Sequence, residues 1–478
     1  MSQLLITDGK CVGQESVFNA DILIDDGKIV SIGEHLDCQA ENKIDAHGCY
    51  ILPGGIDVHV HMPWPTGSYV SKDDIFSGTR AAAYGGVTTV IDFAIPVEDE
   101  SLSAALERKL TEAQKNAWVD YSFHLNIRGD VHNKLAEVKE LVQRGFPSFK
   151  VFMAYEGFRL ADEDLLNVME TVKKAGGMVD VHAENGQLAD HITQRLLDEG
   201  KVSPVDYFDA RPEICETEAI SRLLSYERNV GVPLHIHHVS TRLGAELIKK
   251  ARNKNLPVTA ETCPQYLLLN SDTYRKDPTL AAYMICAPSI KKANNQKALW
   301  KHLAEGSIPI LATDHCPYTK EQKEEHLDNF SLIPGGIGGV ELRLPLIFSE
   351  GVAKGKISLE RFVQAWATEP AKAFGLYPRK GVLAIGSDAD LVILDPEKKG
   401  TIAAKNLHMN TDCLPYEGWE ASGLRLTTIL RGEVVIKDGS LVGEKPAGEL
   451  IPRHLETRST YSPRRKNWRS KLLLKTLR

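Results

Sequence analysis

The sequence predicts a TIM-like (β/α)8 barrel with a smaller β domain formed from both chain ends. Three observations carry that prediction. Eight short β-rich runs alternate with amphipathic stretches through the middle of the chain. Both ends are strand-rich and differ in character from that middle. The 478 residues exceed what one core of ordinary size holds. The chain divides accordingly into 1–53 (first part of the β domain), 54–375 (barrel), 376–443 (second part of the β domain) and 444–478, an extended basic tail.

From the N-terminus, ADILIDDGKIVSIGE alternates apolar and polar residues on both sides of Asp26-Gly27, a hairpin signal. GSDADLVILDP (386–396) and LRLTTILRGEVVIKDGSLV (424–442) share that character, and chain ends commonly lie close together in space. Between them the strand candidates are 56–61, 87–93, 119–127, 148–153, 178–184, 233–240, 257–265 and 309–315, separated by helical stretches such as DEDLLNVMETVKKAGG and TRLGAELIKKARNKN. A doubly wound open sheet is the alternative. It is disfavoured because no Gly-rich phosphate loop follows any of these strands, and the glycines of IPGGIGGVE read as a loop entering a helix.

Composition narrows the class. With 42% hydrophobic and 25% charged residues the chain is ordinary globular protein, and a net charge of −7 offers no basis for nucleic-acid binding. The start, MSQLLITDGK, lacks the basic and apolar regions of a signal peptide, and no apolar run reaches the roughly 18 residues that span a bilayer. Eight cysteines without a C-x-x-C pair read as reduced thiols in a cytoplasmic protein. Charge is uneven: residues 451–478 hold nine Lys/Arg and one acid, a net of +8, so the remainder is −15 (48 minus 63). This tail, with Arg464, Arg465 and Lys466, reads as a solvated or subunit-crossing arm; contact with an anionic partner is the alternative.

Barrel active sites lie at the C-terminal ends of the strands, where His59, His61, Lys150, His182, His238 and Asp314 fall. Period-two geometry puts His59 and His61 on one face, able to meet one ion. His182 ends VDVHAEN. In LHIHHVS three histidines compete; His238 is nearest the strand end, and His235 and His237, on the opposite face, are expected to pack among the surrounding helices. Neutral imidazole is the commonest ligand of zinc and its neighbours. Asp314, in LATDHCP, can bind a metal, move a proton, or do both, while His315 points to the other side of its strand. Lys150 is the odd member, because an ammonium repels a divalent cation. It fits only if its amine has reacted with CO2 to form an anionic carbamate, which spacing alone does not show. Cys263 and Cys316 supply a rival, nucleophilic reading, although a free thiol is more often inert packing.

The series PGGIDVHVH, SFKVFMAYEG, VHAEN, HHVS, ETCPQYLLL and ATDHCP resembles the dihydropyrimidinase and D-hydantoinase family of the amidohydrolase superfamily, from about Leu4 to about Gly443. The resemblance implies a TIM-like (β/α)8 barrel with a smaller β-sandwich domain formed from both chain ends, and two divalent metal ions, zinc by preference. His59, His61 and Asp314 would hold one and His182 and His238 the other, with a CO2-derived carbamate on Lys150 between them. It places Tyr155 at the substrate, a small cyclic amide, and implies a homotetramer; composition, as above, gives no nucleic-acid or membrane partner. The activity implied is opening of a hydantoin or dihydropyrimidine ring to an N-carbamoyl amino acid, with Tyr155 at the oxyanion and Asp314 as proton shuttle. An allantoinase-like enzyme and a non-catalytic scaffold of the same fold are the alternatives; Gln265, where allantoinase-type relatives usually show His, and the complete metal set argue against them. Three departures bear on the substrate. The loop MPWPTGS after His61 is shorter than is usual in the family. Ala287 replaces the family's substrate-contacting serine, and Gly335 its asparagine. In the family these last two contacts are made largely by backbone groups.

Overall fold

Strands covered on both faces are buried along their length, and the middle of this chain shows it: Val87–Ala94 and Asp120–Asn126 are buried at every position, the latter with polar Asp120, Ser122, His124 and Asn126 on one face. In the computed structural model, which describes residues 3–38, 40–97 and 100–455, eight such strands lie parallel and in chain order. They are Gly55–Asp57, Val87–Ala94, Asp120–Asn126, Ser148–Phe152, Met178–His182, Leu234–Ile236, Val258–Thr262 and Ile310–Leu311, one overlapping each predicted run. The eighth returns to the first through a parallel bridge between Val60 and His315, where the His61 amide donates to the His315 carbonyl at 2.9 Å. Buried Arg343 spans the same seam, Nη1 donating to the carbonyls of Ile56 (3.0 Å) and Leu311 (2.6 Å). The sheet is therefore a nearly closed barrel and not an open doubly wound one. The outer helices begin and end where local chemistry dictates. Ser101, Asn185 and Thr241 accept amide hydrogen bonds at N-termini, and Gly176 and Gly231, at φ 79° and 74°, close Asp162–Ala175 and Glu213–Val230.

Both chain ends build a second, nine-stranded sheet. Asp26 and Gly27 adopt φ 46° and 73°, as a two-residue hairpin loop demands, between Val17–Asp25 and Lys28–Gly33. The two ends meet where Tyr50–Pro53 pairs antiparallel with Leu391–Leu394. Ile6, Ile22, Ile24, Ile51, Leu391, Ile393 and Ile429 form the core of this sheet.

The chain crosses from sheet to barrel at Gly54-Gly55, where space admits no side chain. A Cβ on Gly54 would fall 2.2 Å from Thr88 Oγ1, and one on Gly55 2.1 Å from the Trp366 ring. A buried ion cluster ties the two bodies together at the same level. Lys380 Nζ donates to Asp390 (2.6 Å), to Asp388 (2.9 Å) and to Asp120, which opens the third barrel strand, while Arg431 takes the other Asp120 oxygen. Residues 448–454 then run across the floor of the barrel. The Tyr121 amide donates to the Glu449 carbonyl and the Ile451 amide to that of Tyr121, both at 2.9 Å. Buried Arg453 donates to Ser122 Oγ (2.9 Å) and Ser148 Oγ (2.8 Å). The Arg464–Lys466 cluster of the tail lies outside the described residues. Removing one partner of a buried ion cluster leaves uncompensated charge. Lys380→Met is accordingly expected to lower folding stability by about 3–5 kcal/mol, read as the shift of a urea unfolding transition.

Candidate metal centre

Beyond Asp57 the first barrel strand runs on past its ladder and carries His59 and His61 to the C-terminal rim, their rings 5.1 Å apart. Nε2 of each lies 3.1 Å from Asp314 Oδ1, beyond the end of the eighth strand. Across the opening, His182 closes the fifth strand and His238 follows the sixth; His182 Nδ1 is 2.8 Å from His238 Nε2. The His59 and His238 rings are 5.3 Å apart. Lys150, from the fourth strand, is fully buried among them, its Nζ 4.8 Å from the Phe152 ring and 5.1 Å from that of Phe93. Tyr155, Ala287 and Gly335 line the same cavity of about 460 Å³. The structure thus brings together all nine residues singled out in the sequence.

The donor set fits a pair of cations. Proton positions follow from the partners of each ring. His59 Nδ1 meets the Glu261 carboxylate at 2.5 Å, so its Nε2 lone pair faces Asp314. His182 Nε2 meets Glu184 at 3.0 Å, so its Nδ1 lone pair faces His238. Two imidazole nitrogens and a carboxylate oxygen converge on one point, and two more nitrogens face each other beside it. Such arrangements repel unless a cation or proton lies between the atoms. Burial holds the pKa of His59 and His238 well below the usual imidazole range and lowers that of His182, favouring the neutral form that binds metal. Burial also brings Lys150 down to about 8, against the pull of Asp180, Asp314 and Glu261, which leaves its amine partly unprotonated near neutral pH. An unprotonated amine is the form that adds to CO2.

One expectation is corrected. His235 and His237 do not pack among the outer helices; both lie inside the barrel. The sixth strand ends at Ile236 and His238 takes φ 34°, so alternation fails and all three histidines face inward. His235 Nε2 and His237 Nδ1 meet Glu261 at 3.1 and 2.9 Å, and the His238 amide donates to the same carboxylate at 3.3 Å. His237 Nε2 and His124 Nδ1 both reach Asp180 Oδ2, each at 3.2 Å. Sequence reasoning missed Glu261, Asp180 and His124. Their signal was present as polar residues at strand-interior positions, Asp180 two before His182 and Glu261 two after Thr259.

His315 faces away from the centre, as expected. Its Nε2 meets Asp73 at 3.0 Å and its Nδ1 accepts the amides of Gly339 (3.0 Å) and Val340 (3.3 Å). The nucleophilic-cysteine reading fails on electrostatics: burial pushes the Cys316 thiol up to about 12 and that of Cys263 well above its usual value, which keeps both protonated. The outer wall of the cavity is aromatic, with the Trp64 ring 5.8 Å from Phe152 and 5.6 Å from Phe158.

Comparison with known proteins agrees with this geometry. The model of the amidohydrolase family matches residues 50–435. A D-hydantoinase of Geobacillus stearothermophilus is 41% identical over 94% of this chain and 96% of its own. The crystal structure of dihydropyrimidinase from Brevibacillus agri NCHU1002 superposes with a TM-score of 0.92 at 38% identity, covering 95% of this chain and all of that one. The L-hydantoinase (dihydropyrimidinase) of Arthrobacter aurescens gives 0.88 at 30% identity, over 95% of this chain and all of its own. The chain belongs to the amidohydrolase family and, within it, to the dihydropyrimidinase and D-hydantoinase group.

Because Glu261 orients His59 and supports three further groups, Glu261→Gln is expected to weaken metal retention by roughly 10–100-fold. Metal analysis after dialysis against graded chelator measures the loss.

Proposed function

We propose that this enzyme is a binuclear-metal cyclic amidohydrolase that opens the ring amide of a hydantoin or dihydropyrimidine to give an N-carbamoyl amino acid. The observation that carries the reading is the convergence of His59, His61 and Asp314 beside the His182–His238 pair, with buried Lys150 between them. His59, His61 and Asp314 would hold one cation and His182 and His238 the other, with the carbamate of Lys150 reaching both. Zinc suits the histidine-rich set. Bound there, the cations supply Lewis acidity, which polarises the ring carbonyl and brings the pKa of water towards neutrality.

The remaining steps belong to the chain. Burial raises the Tyr155 hydroxyl well above its usual pKa, so it stays protonated and donates to the oxygen on which negative charge develops. Asp314 takes the proton of the attacking water and delivers it to the departing ring nitrogen. Backbone groups at Ala287 and Gly335 hold the ring, and Trp64, Phe152 and Phe158 cover its substituent and keep bulk water out. D- and L-hydantoinases both share this fold, so the handedness of the substrate is set by that wall and not by the barrel. The reading includes a homotetramer, which rests on the family resemblance, and a cytoplasmic location, which the eight unpaired cysteines support.

Zinc-loaded protein is expected to hydrolyse hydantoin or dihydrouracil and to lose that activity on chelation; opening of allantoin alone would move the reading to the allantoinase type. Asp314→Asn should abolish nearly all turnover, and near-wild-type rates would remove the shuttle role. Lys150→Ala should lose metal and activity and recover both when short-chain carboxylic acids are added. Full activity without them would refute the bridging carbamate.

A further inference from the structure

Lys323 is fully buried behind the substrate cavity, and its ammonium meets backbone carbonyls. Nζ donates to Ile285 O and to Pro334 O, each at 2.8 Å, and lies 5.6 Å from the Tyr318 ring. Buried Lys109 and Lys380 have carboxylates at their amines. Lys323 meets the two carbonyls instead, and burial brings its pKa down to about 8. An amine buried away from any acid is costly, so what it joins is informative.

It joins the two segments that carry two of the three departures from the family pattern, Ala287 and Gly335. Ile285 leads into Cys286-Ala287, and Pro334 into Gly335-Gly336; Ile285, Ala287, Pro334, Gly335 and Gly336 all line the cavity. The segments also touch directly, the Gly336 amide donating to the Ile285 carbonyl at 2.9 Å. Gly336 is wedged in place, since a Cβ there would fall 2.4 Å from the Cys316 carbonyl, whereas Gly335 has nothing closer than 3.8 Å. Lys323 itself projects from the short helix Lys320–Glu324, whose first turn Thr319 caps. Two carbonyls from different segments therefore converge on one donor anchored to a third.

We propose that Lys323 is a positioning residue for ring recognition: it pins the 285–287 and 334–336 segments at the separation at which backbone groups of Ala287 and Gly335 hold the cyclic amide. The proposal rests on the reading of the site as a cyclic amidohydrolase centre. It explains how side chains can differ at 287 and 335 while recognition persists, because the spacing of the two backbones is held from behind.

The test compares wild type, Lys323→Met, which keeps the apolar stem as far as Cε and removes the donors, and Lys323→Gln, whose amide restores two N–H groups one atom nearer the backbone. Each is zinc-loaded and followed for metal content, thermal unfolding midpoint and steady-state hydrolysis of hydantoin and dihydrouracil. Lys323→Met is expected to keep wild-type metal content and to raise KM by about tenfold with kcat within about twofold, Lys323→Gln falling between. An unchanged KM in Lys323→Met overturns the proposal, as does a fall in metal content or unfolding midpoint with KM unaltered, the mark of a merely structural pin. If Lys323→Met does not fold, Lys323→Gln decides: a raised KM supports the pin and a wild-type KM refutes it. Wild-type protein that opens neither ring fails the parent reading and this one with it; turnover with unchanged KM in the variants fails the pin alone.

Discussion

The rim depends on one carboxylate. Glu261 lies at the centre of the barrel and receives His59 Nδ1, His237 Nδ1, His235 Nε2 and the His238 amide. Burial alone would push this group towards its neutral form; Lys150 and the His238 amide oppose that shift. What the carboxylate provides is orientation. With Nδ1 of His59 engaged below, Nε2 must point upward to the rim, and with the His238 amide engaged, the chain turns there and not one residue later. A barrel interior is ordinarily filled by layers of branched apolar side chains. Here the layer beneath the rim is histidine and acid, and it fixes rotamer and tautomer in a way that aliphatic packing does not.

That support lets the rim hold strained backbone. Tyr155, His238 and Asp314 take φ 69°, 34° and 55°, a region that costs a non-glycine residue of order 1–3 kcal/mol. Each has a visible counterweight. The Tyr155 carbonyl accepts the Arg159 amide at 2.8 Å, closing a tight turn. His238 is anchored through its amide to Glu261. Asp314 is held by its neighbour: His315 is locked between Asp73 and the amides of Gly339 and Val340, and its carbonyl takes the His61 amide. The same contact closes the barrel, so the seam between first and eighth strands and the posture of Asp314 are one feature.

Much of this was legible in the sequence, for identifiable reasons. Parallel strands buried on both faces write themselves as apolar runs, and the histidines and Asp314 interrupt those runs at their C-terminal ends. The hairpin at Asp26-Gly27 announces itself because two successive left-handed residues restrict the choice of side chain. His235 and His237 were misplaced because alternation was extended past Ile236, where the strand has already ended. Glu261 shows in the sequence only as a polar residue inside a strand: its four partners come from the first and sixth strands, and no local pattern records a contact 202 residues away. Lys323 is harder still, since a lysine in KEQKE reads as an exposed helical residue. Its meaning arises only when two distant carbonyls approach it.

The departures from the family pattern become intelligible once the division of labour inside the cavity is drawn. A ring amide offers the same carbonyl and N–H edge whatever substituent it carries, so in the proposed reading backbone groups on a braced pair of segments would suffice to hold it, and the side chains at Ala287 and Gly335 would need to supply nothing. The substituent has no such constant edge and must be met by shape and apolar surface. Trp64, on the loop after His61, and Phe158, on the loop after the fourth strand, line the cavity with their rings 5.6 Å apart and supply such a surface. The Trp64 loop is itself anchored, its amide bound to Ser71 Oγ at 2.8 Å and the preceding Met62 carbonyl to Lys109 at 2.5 Å. A loop braced at both ends cannot lengthen or shift without losing buried hydrogen bonds. Discrimination among ring substituents therefore falls to the identity of the aromatic side chains it presents, and the chemistry beneath them stays unchanged.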